Sequence, residues 1–295
     1  MTTEEALPAA WKVGVVLLGL GAIAVPFAGE VLRRLPRRVP VFFARWGFSH
    51  VLVAALSALG TTVLLGALTG ALAGTPAGVE GADPALQDGA AAAQPGILVQ
   101  LYLTMGILGA GVAYAAYTAR RLHPEGIGAL GLATGGNVRA IVAGALAYPL
   151  LLPGVLGVAA LWPPIAEALG FEVGPQEVLS SIRGLEGAAL VQAIVLAVVV
   201  GPFLEEALFR GFLQPLLVQN LRELGGIAVT SALFAALHGA SAFAPLFALS
   251  MLLGYVQLRT QRLGAAWFVH GLHNGLTLAI VLLVPEWYDA LEATT

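Results

Sequence analysis

Apolar residues in this chain gather in long continuous runs separated by short polar breaks, with no strand-like alternation of period two. The runs fall near residues 11–29, 48–73, 96–118, 139–162, 187–209, 226–242, 243–258 and 264–284. About 20 apolar residues, rising 1.5 Å each, cross a hydrocarbon core of ~30 Å as an α-helix. In that solvent every backbone N–H and C=O must be paired internally, which leaves helices or a closed barrel. The missing alternation selects helices. The pattern predicts an all-α, polytopic transmembrane helix bundle of about eight transmembrane helices. The join between the sixth and seventh runs carries little polarity, and a re-entrant bend around Pro245 is an alternative reading there. Residues 74–95, rich in Ala, Gly and Pro, predict a flexible loop. Residues 163–186 leave room for a short interfacial helix.

Composition agrees. The 295 residues are 58% hydrophobic and 11% charged, where a soluble domain carries about 25% charged residues to meet water. The basic residues then set an orientation. Arg33, Arg34, Arg37, Arg38 and Arg45 fall in the first loop, and Arg120, Arg121 and Arg139 in the third. Arg222 falls in the fifth, and Arg259 and Arg262 in the seventh, so 11 of the 14 basic residues lie on one side. The even loops carry Glu80, Asp83, Asp88, Glu167, Glu172, Glu177 and Glu186 against a lone Arg183. By the positive-inside rule the odd loops are cytoplasmic and both termini outside. An even number of spans requires the same. Glu4 and Glu5 precede the first run and the positive charges follow it, which argues against a cleaved signal peptide.

Other classes fall away. No cysteine is present, which removes disulfides, thiolate metal sites and a cysteine nucleophile. A net charge of −3 without a basic stripe gives no reason to expect nucleic acid. No internal repeat is evident, against a transporter built on inverted halves.

Intramembrane polarity divides the chain. Residues 1–185 form N-terminal transmembrane helices with no recognised motif and almost no ionisable group inside their spans. Residues 186–285 carry several, and 286–295 form a short tail. A charge at mid-bilayer costs about 2.5–3.5 kcal/mol on insertion scales and so needs a partner, a water-filled cavity or a function. Glu206 and Arg210 are i,i+4, neighbours on one helical face with the acid leading. Glu205 has no local partner; a solvated helix end is the bland alternative for this group. Phe234 and His238 follow on the sixth run, and His270, His273 and Asn274 on the last, with interhelical hydrogen bonding the competing explanation. At 1.5 Å per residue, His270 lies ~9 Å, Glu205 ~15 Å and His238 ~18 Å from the cytoplasmic helix ends. A carboxylate, two imidazoles and a carboxamide therefore share one slab of membrane. A carboxylate can act as general base toward water, and His or Asn donors can stabilise an oxyanion. That inventory suits amide hydrolysis.

The order Glu205-Glu206 with Arg210, then Phe234 with His238, then His270 with Asn274, each on its own hydrophobic run, resembles the CAAX protease and bacteriocin-processing (CPBP) family of intramembrane endopeptidases. The resemblance covers about 186–285. It implies that Glu205, helped by His238, activates the attacking water and that His270 and Asn274 form an oxyanion hole. It implies also that Glu206 is a second essential carboxylate balanced by Arg210, with Phe234 in support. It favours no cofactor. Were zinc present, Glu205, His238 and His270 would be its ligands, and no HExxH motif occurs. The implied substrate is a membrane protein or lipid-anchored peptide, met within the bilayer. The Ala-, Gly- and Arg-rich composition points to a prokaryotic cell (inner) membrane, where a literal prenylated CAAX substrate is not expected.

Three rivals differ in kind. A rhomboid-like serine protease needs a GxSG turn, and Gly239-Ala240-Ser241-Ala242 lacks the final glycine. A proton- or metal-coupled transporter would use the same Glu and His residues as a relay. A non-catalytic scaffold or bacteriocin-immunity-type protein would keep the fold and bind a membrane partner.

Overall fold

The computed structural model describes residues 3–33, 43–72, 96–132, 137–171, 177–284 and 286, and among these every regular element is helical. In order they are α1 (Thr3–Arg33), α2 (Phe48–Leu72), α3 (Ile97–Leu122), α4 (Asn137–Ala168) and the short α5 (Glu177–Arg183). A long composite follows: α6 (Gly187–Val195), a π turn (Leu196–Val200), α7 (Gly201–Glu206), a second π turn (Ala207–Leu213) and α8 (Gln214–Ala236). The last two are α9 (Phe243–Thr260) and α10 (Leu263–Leu283). Among the described residues, five segments are long and apolar enough to cross a membrane: Trp11–Val31, Ile97–Leu122, Val138–Ala168, Gly187–Ala236 and Leu263–Leu283. The chain is a polytopic helical bundle and an integral membrane protein.

The fourth of these segments is 50 residues long, roughly 75 Å at 1.5 Å per residue and more than twice a ~30 Å hydrocarbon core. It is not one span. The backbone breaks at Arg222 (φ 64°, ψ 173°), and a Cβ on Gly226 would lie 2.4 Å from the Val218 nitrogen. Such backbone contact across eight positions means that the chain doubles back, with Gly226 allowing the two arms to touch. With this division, and with α2 and α9, the described residues supply the eight helices that the hydropathy pattern predicts.

The boundaries differ from the predicted ones. The fifth span runs on to the break at Arg222 instead of ending near 209, because Gly211-Phe212-Leu213 and Leu216-Leu217-Val218 continue its apolar run. The sixth ends at Ala236, six residues earlier than predicted, so His238 sits in the turn beyond the helix. Pro245 makes no re-entrant bend: the reversal is made by residues 237–242, and Pro245 lies in the first turn of α9, where a missing N–H is tolerated. A short helix does form within 163–186, as α5, after α4 has continued to Ala168. Residues 74–95, the tail 287–295 and Arg34, Arg37 and Arg38 lie outside the described residues.

The arginine-bearing loops meet at one end of the bundle. The Leu263 N–H donates to Gly131 O at 3.0 Å, joining the turn after α3 to the turn before α10. Trp46, in the segment before α2, stacks on Phe212 at 4.9 Å and packs with Ala115, Ala119, Ala129 and Leu130. The main core lies between α4, α9 and α10, where Ala143, Ala147, Leu249, Leu253, Val256, Ala265 and Val269 are buried together. Helix α1 clamps the outer face of α4 by close backbone approach: a Cβ on Gly21 would lie 2.4 Å from Gly154 Cα. Small residues at such crossings let helices gain the dispersion contacts that drive association in lipid.

This crossing gives an internal control. Gly21→Ala puts a methyl group into opposing backbone, whereas Gly19, on the same helix, has nothing within 4 Å. Gly21→Ala is expected to cost about 1–3 kcal/mol from overpacking and to lower the melting temperature of the detergent-solubilised protein. Gly19→Ala should melt like wild type in the same assay.

Candidate active site

Two carboxylates stand side by side at the end of α7 and differ in every respect that matters. Glu206 is fully buried, and its Oε1 accepts from Arg210 Nη1 at 2.9 Å and from His270 Nδ1 at 2.8 Å. Arg210, in the second π turn, is buried as completely. Its Nη2 donates to Ser250 Oγ on α9 at 2.7 Å, and its guanidinium carbon stands 4.6 Å from the centre of the Phe234 ring. Glu205 keeps its side chain 20% exposed, with Oε2 3.7 Å from His270 Nε2. That separation is too long for a direct hydrogen bond and too short to hold a water between the two atoms, although one water beside them can bond both.

Phe234 lies at the centre. Its ring touches those of His238 (4.6 Å), Phe209 (5.2 Å) and His270 (5.7 Å) as well as the guanidinium. Its carbonyl bonds His238 Nδ1 at 2.8 Å. A carbonyl only accepts, so His238 carries its proton on Nδ1 and turns the Nε2 lone pair outward. The same reasoning puts a proton on Nδ1 of His270 where it meets Glu206. Four segments thus converge: α7 with its π turn, the end of α8, α9 and α10.

Of the residues singled out from sequence, Glu205, Glu206, Arg210, Phe234 and His270 form one cluster, with His238 joined to it through Phe234. Asn274 stands apart. Its Nδ2 donates to Ala197 O in the first π turn at 3.0 Å, leaving one amide proton uncommitted. Trp267 Nε1 donates to Val199 O at 2.9 Å, and a Cβ on Gly271 would lie 2.6 Å from Val198 O between them. One face of α10, at positions 267, 271 and 274, therefore closes over the three carbonyls of this turn. The second π turn is treated alike: Trp46 Nε1 donates to Phe212 O at 2.9 Å. The turn that carries His238 is held by Trp162 of α4, whose Nε1 donates to Ala240 O at 2.8 Å. In lipid, backbone groups set loose by irregular turns must find such partners, and indole is a donor with an otherwise apolar body.

Among the described residues no group of three His, Asp or Glu side chains is arranged to hold a metal ion, the trio Glu205, His238 and His270 included. Sequence reasoning passed over four contributors. Ser250 completes Arg210. Tyr148 OH bonds His273 Nδ1 at 3.0 Å, tying α4 to α10 beside the site. Trp46 and Trp162 act from the half of the chain that carries no motif. Tyr148, Trp162 and Ser250 left a signal, as donors within apolar runs, whereas Trp46 lies in the loop before the second run.

Residues 187–276 match the family model described as type II CAAX prenyl endopeptidase Rce1-like. No curated protein matches the chain, and no solved structure does. The matched segment agrees with the resemblance carried by the three motifs, and the chain thus holds an Rce1-like, CAAX-protease-type domain. At the level of the family this supports protease activity.

Two outcomes follow from the geometry. Arg210→Ala leaves Glu206 buried beside a single imidazole, and losing one partner of a buried pair costs about 3–5 kcal/mol; quantitative immunoblotting of membranes should find the variant far below wild-type abundance. Trp162→Phe keeps an aromatic side chain but drops the donor to Ala240 O along with the pyrrole ring, a loss of about 1–3 kcal/mol from the unmet carbonyl borne by the His238 turn. It should reduce turnover more than abundance when both are measured on the same preparation.

Proposed function

We propose that this protein is an intramembrane endopeptidase that hydrolyses a peptide bond of a membrane-associated protein or peptide with water activated by Glu205. The observation that carries the reading is the asymmetry of the two carboxylates. Glu206 is buried and bonded to Arg210 and His270, whereas Glu205 remains part exposed and makes no direct hydrogen bond to His270 Nε2. One is built to hold the site together, and the other is left to act.

In this reading Glu205 takes a proton from a water bonded to its Oε2 beside the His270 ring. The water oxygen forms a bond to the scissile carbonyl carbon, and the carbonyl oxygen takes the negative charge. His238, with Nε2 turned outward, helps to orient the water. The uncommitted amide proton of Asn274 and, with the ring as imidazolium, the Nε2–H of His270 are the proposed oxyanion donors, the kind of fixed group worth about 3–4 kcal/mol in other hydrolases. Collapse breaks the C–N bond, and the proton held by Glu205 passes to the leaving nitrogen, giving a carboxylic acid and an amine. No step is routed through a metal. The odd loops, rich in arginine, face the cytoplasm, and the site lies within a prokaryotic cell membrane.

Glu205→Gln removes the base at nearly constant volume and leaves the Glu206–Arg210 pair untouched. It should abolish cleavage at unchanged membrane abundance, whereas Glu206→Gln should lower both. The assay is quantitative terminal-peptide profiling of membranes from cells carrying wild type or Glu205→Gln at matched expression. New peptide ends confined to wild type are the expected result. Identical profiles would move the protein to the class of membrane scaffolds or carriers.

A further inference from the structure

On the side of Arg210 away from Glu206 lies a small cavity lined by Ala129, Gly131, Gln214, Val218, Gln257 and Gln261 together with Arg210. Its volume, about 20 Å³, suits a single water, which needs roughly 10–15 Å³. Three side chains on its wall are at least nine-tenths buried and each brings one polar atom without a hydrogen bond: Arg210 Nε, Gln214 Oε1 and Gln257 Oε1. The other polar atoms of two of them are engaged. Arg210 uses Nη1 and Nη2 on Glu206 and Ser250, and Gln214 Nε2 donates to Gly254 O at 3.0 Å.

The unmatched set is one donor and two acceptors. We propose that this cavity is a binding site for one water molecule, which accepts from Arg210 Nε and donates to Gln214 Oε1 and Gln257 Oε1. Three hydrogen bonds are the usual complement of a buried water. Other small occupants fail on charge or count: an anion would face two carbonyl oxygens, and a metal cation would face a guanidinium. The cavity borders the turns at Gly131 and Gln261, at the arginine-bearing end of the bundle, so the water exchanges with solvent there and not through lipid. Its effect on the site is geometric. Bonded at Nε, the guanidinium is fixed in plane, with one remaining nitrogen aimed at Glu206 and the other at Ser250.

The sign of a stability change separates this site from a dry cavity. Gln257→Met nearly keeps the side-chain shape and removes Oε1. In a dry cavity the change deletes an unsatisfied buried acceptor, and the melting temperature of the full-length protein in nanodiscs rises. With water bound, the change removes one of its three partners, and the melting temperature falls by at least ~2 °C. A structure of the wild-type protein in nanodiscs at about 2 Å, resolving N–H···O distances near 2.9 Å, gives the second reading should the variant not accumulate. A density peak within hydrogen-bond distance of all three atoms is expected. A cavity without such a peak, with either glutamine oxygen bonded directly to Arg210 Nε, overturns the proposal, as does a raised melting temperature.

Discussion

A guanidinium and a carboxylate cannot be left in hydrocarbon surroundings unless each is fully met, and that constraint organises this protein. Taking either ion from water costs several kcal/mol even after relaxation, repaid only by close geometry and further hydrogen bonds. Arg210 and Glu206 obtain these from four different segments: Ser250 on α9, Phe234 near the end of α8, His270 on α10 and their own π turn. Helices otherwise free to slide past one another in lipid are thereby fixed in rotation and depth. The neighbouring Glu205 inherits its position from this arrangement without taking part in it, which is how a carboxylate can be well placed and still uncommitted.

The second organising feature is irregular backbone. Two π turns flank α7, and π turns recur at functional sites because they re-aim side chains at the expense of regular hydrogen bonding. Here they set Glu205 and Glu206 toward α10 and Arg210 toward Phe234. The carbonyls they release are taken up by Trp46, Trp267 and Asn274, and the turn after α8 by Trp162. Two of these tryptophans lie outside the Rce1-like segment. The N-terminal helices are therefore part of the site's support, although no residue in them resembles a motif.

Much of this was legible beforehand. Span number follows from run length alone, since lipid tolerates few alternatives. Glu205, Glu206, Arg210, Phe234 and His270 could be chosen because ionisable or motif-spaced residues stand out against an apolar background. What stayed hidden depends on packing. The break at Arg222 is announced by Gln219, Asn220 and Glu223, but that the fifth helix runs on to it from 209 depends on the burial of Phe212, Leu216 and Leu217. Likewise His238 looks helical by periodicity, because the turn at 237–242 is stabilised by a tryptophan 78 residues away. The bond of Asn274 to Ala197 O depends on a π turn that hydropathy does not encode.

The reversal at Arg222 bears on the bilayer itself. From there to the end of α8 at Ala236 the second arm of the hairpin has 14 residues, about 21 Å of helix against a ~30 Å hydrocarbon core. The turn bearing His238 therefore stops well short of the far leaflet surface. A deficit of this size is relieved when lipid thins locally and headgroups follow the protein inward. Acyl-chain length then becomes a determinant of how deeply polar headgroups reach toward the histidine, and membrane thickness joins sequence in deciding how wet the site is.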